Sequence, residues 1–159
     1  MSKPKTILVT GTSTGFGSLI TRTLLGKGYI VFATMRGLDD KNEKRANELR
    51  NFAEGKRGIL HLLELDVTDT ASVAAAIRQA LELEDRIDVA VNNAGFGAGG
   101  FCEAFTVDQF QRIFDVNVFG VQRVSRAVLP SMRKHGTGLL INVSSVMGRI
   151  VLPFAAPYT

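Results

Sequence analysis

The chain has 159 residues, 45% of them hydrophobic, with 19 Lys and Arg against 15 Asp and Glu for a net charge of +4. That length suits one domain with a real core and is too short for two ordinary ones, and no apolar run approaches the roughly 20 residues of a membrane span. The positive balance does not mark a nucleic-acid surface: Lys41, Lys44, Arg45, Arg50, Lys56 and Arg57 are interleaved with Asp39, Asp40, Glu43, Glu48 and Glu54, as on a solvated helix face.

Met1 to Lys5 runs directly into an apolar stretch, Ile7 to Val9, without the long apolar region of a secretory signal, which gives a cytoplasmic expectation. Next come Thr10, Gly11, Thr12, Ser13, Thr14, Gly15, Phe16 and Gly17, and then apolar residues at helical spacing, Phe16, Leu19, Ile20 and Leu24. This reads as strand, glycine turn and helix. Glycines there can take positive φ and let the backbone close on a pyrophosphate, which then meets unpaired amides at the helix N-terminus. Residues Gly11 to Gly17 are therefore the first candidates for holding a dinucleotide, although glycines at 11, 15 and 17 widen the usual G-x-G-x-x-G spacing and a plain strand-to-helix turn is the alternative.

A second strand, Ile30 to Ala33, is followed by Arg36, about twenty residues past the glycines, where a protein selective for NAD places an acid for the ribose hydroxyls. A guanidinium there can pair with the 2′-phosphate of NADP through two parallel hydrogen bonds, which favours NADP over NAD. Asp39 and Asp40 stand close by, and a surface arginine leaving a strand is the other reading. Helical spacing of Ala46, Leu49 and Phe52 predicts a helix over 41–53, and strand Ile59 to Leu65 leads to Asp66 and Val67. Val73, Ile77 and Leu81 predict a helix over 71–83; strand Ile87 to Val91 then leads to Asn92, Asn93, Ala94, Gly95, Phe96 and Gly97.

Thr106 and Gln109 have the spacing of a capping box and open a long helical pattern through Phe110, Ile113, Phe114, Val118, Val121, Val128 and Met132, with room for a kink. A fifth strand, Leu139 to Val143, ends at Ser144 and Ser145. Unbroken alternation of strand and helix predicts an α/β fold with a doubly wound parallel sheet, in which ligands sit beyond the carboxyl ends of the strands. The single cysteine, Cys102, excludes an internal disulfide, and His61 and His135 lack ligand spacing, so no metal site is expected.

The order Thr-Gly-x-x-x-Gly-x-Gly, then Asp-Val, then Asn-Asn-Ala-Gly resembles the short-chain dehydrogenase/reductase family. The resemblance implies a Rossmann-type sheet of order 3-2-1-4-5, with Asp66 and Val67 framing the adenine and Asn92, Asn93, Ala94 and Gly95 walling the cofactor. It further implies that Asn117 holds a water of a proton relay, that a serine orients the substrate carbonyl and that Tyr158 is the acid/base. Ser144 and Ser145 are both candidates; the family's thirteen-residue spacing from serine to tyrosine selects Ser145, with Ser144 as its support.

The family also carries a lysine four places past its tyrosine, which lowers the phenol's pKa and holds the nicotinamide ribose; that place falls beyond Thr159. Its remaining helix, later strands and substrate loop would also follow. Residues 1–159 are thus expected to be one dinucleotide-binding domain, C-terminally incomplete, retained from a longer polypeptide, with an apolar edge exposed along Leu139 to Val143. The implied activity is NADP-dependent interconversion of an alcohol with its ketone or aldehyde. Phe96, Phe101, Met147, Leu152 and Phe154 near the cleft hint at a lipophilic substrate such as a steroid or retinoid. A homodimer or homotetramer follows from the family alone, and a noncatalytic dinucleotide-binding or interaction domain is the alternative class.

Overall fold

The computed structural model describes residues 3–158, so Met1, Ser2 and Thr159 lie outside it. Five strands form one parallel sheet: β1 (Thr6–Thr10), β2 (Ile30–Met35), β3 (Ile59–Glu64), β4 (Val89–Asn92) and β5 (Leu139–Asn142), in the order β3-β2-β1-β4-β5. This is the expected doubly wound order, with all four pairings parallel. Helices α1 (Gly15–Gly26), α2 (Glu43–Ala53) and α3 (Thr70–Glu84) occupy the connections, and α4 (Val107–Phe114) and α5 (Gly120–Lys134) follow β4. Among the described residues no helix is long and apolar enough to cross a membrane.

Alternation along β1 and β2 splits the core in two. Leu8 and Phe32 face Val73, Ile77, Val124 and Val128 on one side, while Ile7, Val9, Val31 and Ala33 face Leu25, Ala46 and Leu49 on the other. Both faces of the central strands are buried because a helix layer covers each, which is why these strands read as continuous apolar runs.

The expected apolar stripe of α1 is only partly right. Phe16 is 74% exposed and Leu19 also stands in solvent, and the helix buries Gly17, Thr21 and Leu25, with Ile20 and Leu24 half-packed. Small residues here let the helix start close to the sheet, and the aromatic ring is left at the rim.

The predicted long helix is interrupted. Asp115–Phe119 forms a π-helical turn between α4 and α5, with the Gly120 amide donating to the Asp115 carbonyl. The capping box at Thr106 and Gln109 is present, the hydroxyl accepting from the Gln109 amide at 3.3 Å and the Gln109 side chain accepting from the Thr106 amide at 2.8 Å.

β5 is an edge strand with one bare face. Leu140 points into the core beside α5, whereas Leu139 and Ile141 are 52% and 42% exposed on the side where α1 and α2 cover the other strands. The apolar exposure expected at Leu139 to Val143 is therefore that of a face as well as of an edge.

Candidate active site

The loop after β1 is built by side chains bonded back onto backbone. The Thr10 hydroxyl accepts from the amides of Asn93 and Ala94, each at 3.0 Å, and the Asn93 side-chain amide donates to the carbonyls of Thr10 and Gly11 at 2.8 and 3.1 Å. This ties the carboxyl ends of β1 and β4 together. Gly11 holds φ +69°, and a Cβ there would lie 2.8 Å from Ala94 Cα; a Cβ on Gly17 would overlap the Gly11 carbonyl and lie 2.6 Å from Asn93 Nδ2. Both positions therefore demand glycine for close approach.

α1 begins directly above this loop with Thr14 as its N-cap, and no side chain caps it; α3 and α4 by contrast are capped by Asp69 and Thr106. Its first-turn amides and positive dipole end thus stay available to an anion. A cleft of about 690 Å³ opens there, lined by Gly11, Ser13, Thr14, Phe16, Arg36, Val67, Asn93, Ala94 and Gly95 among others. Thr12 is turned away from it: its hydroxyl and amide both donate to the Thr34 carbonyl, at 3.1 and 3.0 Å, and the residue is fully buried.

At the far end of this cleft the Arg36 guanidinium lies 3.5 Å from an Asp66 carboxylate oxygen. Asp66 Oδ1 also accepts from the Thr68 amide and hydroxyl at 2.9 and 2.7 Å. Burial pushes the Asp66 carboxyl upward, but the Thr68 hydrogen bonds and the Arg36 charge outweigh it and hold the group below the usual carboxylate range. Val67 is fixed through its carbonyl, which accepts from Arg123 at 3.2 Å while the same guanidinium binds Asp115 at 2.6 Å. Arg123 thereby braces the π turn against the Asp-Val loop.

A second cleft of about 640 Å³ continues past Phe16, Ala94 and Gly95 to Asn117, Ser144, Ser145 and Tyr158. Asn117 sits in the π turn. Its side chain accepts from the Phe96 amide at 3.1 Å and donates to the Phe96 carbonyl at 2.8 Å, so it clamps the loop after β4. The Ser145 hydroxyl accepts from the Met147 amide at 3.2 Å at the start of a short turn, Val146–Gly148, and the ring of Tyr158 packs over Gly97. Asn92 Nδ2 donates to Asn142 Oδ1 at 2.9 Å across the β4–β5 pair, linking the strand ends below this cleft.

The structure thus gathers Gly11, Ser13, Thr14, Phe16, Arg36, Val67, Asn93, Ala94 and Gly95 around one cleft and Asn117, Ser145 and Tyr158 around its continuation. Gly15, Gly17 and Asp66 support its walls, and Thr12 is a packing residue. Thr10 and Arg123 are structural contributors that the sequence reading did not single out. Thr10 had a signal in its place before Gly11; Arg123 had none, since Val67 lies 56 positions away and Asp115, eight away, is brought to it by the π turn.

Residues 5–159 match the family model described as short chain dehydrogenase. The chain belongs to that family. It is 39% identical over 156 residues to the uncharacterized oxidoreductase YusZ of Bacillus subtilis, covering 97% of this chain and 53% of that protein. It is 36% identical over 157 residues to the 3-ketodihydrosphingosine reductase of Bacteroides thetaiotaomicron, covering 99% and 53%, and 38% identical over 155 residues to human 17-beta-hydroxysteroid dehydrogenase type 1, covering 96% and 46%. The alcohol dehydrogenase of Thermococcus sibiricus, solved in complex with 5-hydroxy-NADP, superposes with a TM-score of 0.86 at 31% identity, covering 98% of this chain and 64% of that one. The chain spans about half the length of the curated relatives it matches.

Proposed function

We propose that the protein is an NADP-dependent oxidoreductase that interconverts a lipophilic alcohol and its ketone or aldehyde. The observation that carries this reading is the uncapped N-terminus of α1 over the Gly11–Gly17 loop, opening into a cleft that runs on to Ser145 and Tyr158. A nicotinamide dinucleotide fits the residues present. Glycine at 11 and 17 lets the loop, Ala94 and the start of α1 pack together beneath the cleft, the first-turn amides of α1 lack a side-chain partner, and Arg36 supplies a cation at the cleft.

Gly11, Ser13, Thr14 and the start of α1 would hold the diphosphate, Asp66 and Val67 the adenine, and Arg36 the 2′-phosphate, with NADP preferred to NAD. When bound, the coenzyme supplies or accepts the hydride. Tyr158 then donates the proton as charge develops on the carbonyl oxygen, and takes it back in the reverse direction, while the Ser145 hydroxyl hydrogen-bonds the same oxygen and fixes its orientation. Asn117, by clamping Phe96, keeps the loop after β4 in register with these groups.

The lipophilic substrate is supported by apolar side chains in the segments after β4 and β5, of which Phe96 lines the second cleft. Phe96, Phe101, Val146, Leu152 and Phe154 are exposed, with Phe101 and Phe154 packed edge to face at 5.1 Å, and two of the relatives are named for a ketosphingoid lipid and a steroid. The exposed apolar residues Phe114 and Phe119 of α4 and the π turn suit a helix-to-helix dimer, and the lone thiol Cys102 suits a reducing cytoplasmic setting.

The test is oxidation of NADPH by the full-length protein with a panel of apolar ketones beside a Tyr158→Phe control. Turnover lost in the control supports the reading. Coenzyme binding with no turnover by the unaltered protein would point instead to a noncatalytic dinucleotide-binding domain.

A further inference from the structure

The turn that carries Arg36 is held from behind by a carboxylate on the neighbouring strand. Glu64 ends β3 directly opposite Met35, the last residue of β2. Its two carboxylate oxygens accept from the amides of Gly37 and Leu38 at 2.7 and 2.8 Å. Gly37 holds φ +59°, which turns those two successive amides to one side, the arrangement that binds anions. From the other side Asn42 Nδ2 donates to the Arg36 carbonyl at 2.5 Å, and the Asn42 amide donates to the Gly37 carbonyl at 2.9 Å.

Arg36 and Asn42 line the cleft, whereas Glu64, Gly37 and Leu38 do not. The carboxylate therefore acts on the turn without lining the cleft, and it stands exposed to water. Two charge-assisted hydrogen bonds fix a two-residue segment more firmly than the neutral bonds of an ordinary turn. The Arg36 guanidinium itself is exposed and, among the described residues, held by the 3.5 Å contact with Asp66, so where its backbone sits decides where its charge is offered.

Resting on the NADP reading above, we propose that Glu64 is a positioning residue for coenzyme choice, setting the Arg36 turn so that the guanidinium meets the 2′-phosphate. The increment that separates NADPH from NADH then depends on a residue that touches neither.

The experiment is calorimetric titration of the full-length protein with NADPH and with NADH, for the unaltered chain, for Glu64→Ala, Glu64→Gln, Gly37→Ala and Arg36→Ala, and for the Arg36→Ala, Glu64→Ala double variant. Glu64→Ala is expected to weaken NADPH about tenfold, equivalent to about 1.4 kcal/mol, and NADH less than about twofold. Glu64→Gln, which keeps one acceptor, falls between, and Gly37→Ala, which cannot hold its φ without strain, shifts the ratio the same way. In the Arg36→Ala background the Glu64 effect disappears, because the two act as one unit.

An equal loss for both coenzymes, a preference for NADPH kept or raised in Glu64→Ala, or effects of Glu64 and Arg36 that simply add overturns this inference and leaves the NADP reading intact. An unaltered protein that binds neither coenzyme, or prefers NADH, overturns both.

Discussion

At the carboxyl ends of β1 and β4 three polar side chains are bonded back to main chain: Thr10 to the Asn93 and Ala94 amides, Asn93 to two carbonyls, Thr12 to the Thr34 carbonyl. Beyond β5 the Ser145 hydroxyl is bonded only to the Met147 amide two residues on, the Phe154 carbonyl accepts from the distant Gly100 amide, and the strand itself shows apolar side chains to solvent. Long-range bonds thus join the carboxyl ends of β1 and β4, about eighty positions apart. At the end with the proposed chemistry the Ser145 hydroxyl is bonded to a near neighbour and apolar side chains stand in solvent. Binding and turnover should therefore respond to different substitutions.

The largest expected effect lies at the loosely held end. Tyr158→Phe should cut turnover of the full-length protein about a thousandfold, the range of a lost general acid, while leaving NADPH affinity and melting temperature unchanged. Steady-state rates beside calorimetry check this, and a parallel loss of affinity would erase the distinction between the two ends. At the rigid end Gly17→Ala drives a methyl into the Gly11 carbonyl and should abolish NADPH binding and cost about 1–3 kcal/mol of stability, read by denaturant melts.

The core offers a graded version of the same contrast. Leu8 is fully buried, and Leu8→Ala should cost about 3 kcal/mol, whereas Leu139→Ala on the bare face should cost less than about 1 kcal/mol in the chain ending at Thr159. A larger cost for Leu139→Ala in the full-length protein would show that a later segment covers that face.

The smallest effect is acid sensitivity, carried by Asp66 beside the cleft and by Glu84 and Asp88 near the amino ends of the strands. Asp66, Glu84 and Asp88 each have a carboxyl that burial pushes up but that hydrogen bonds and nearby cations hold below the ordinary value, from Thr68 and Arg36, from Lys3 and His61, and from Thr6 and Arg86 respectively. Their native values lie below their unfolded ones, so the stability they add is present above about pH 4 and is lost as pH falls through the lowered native values. Melting temperature followed from about pH 5 to pH 2 should fall less steeply in Asp88→Asn than in the unaltered protein.

Much of this was legible in the sequence. Apolar runs and glycine spacing locate all five strands and the α1 turn, since a strand buried on both faces must be apolar throughout and Gly11 and Gly17 admit no side chain. The Thr106–Gln109 pair marks the start of α4 by its spacing. Other features depend on tertiary placement. The exposure of Phe16 and Leu19 follows from how closely α1 starts to the sheet, and Thr12 is inward because the Thr34 carbonyl lies across from it. The π turn under Asn117 and the Glu64 bonds to Gly37 and Leu38 join groups that no periodicity connects.

The central claim is that the uncapped start of α1 and the Gly11–Gly17 loop hold a nicotinamide dinucleotide. Calorimetry of the full-length protein with NADPH, beside Gly17→Ala, tests it most directly: saturable binding by the unaltered protein and none by the variant is the predicted result. Equal affinity in the two proteins, or no affinity of the unaltered protein for NADPH or NADH, would contradict it.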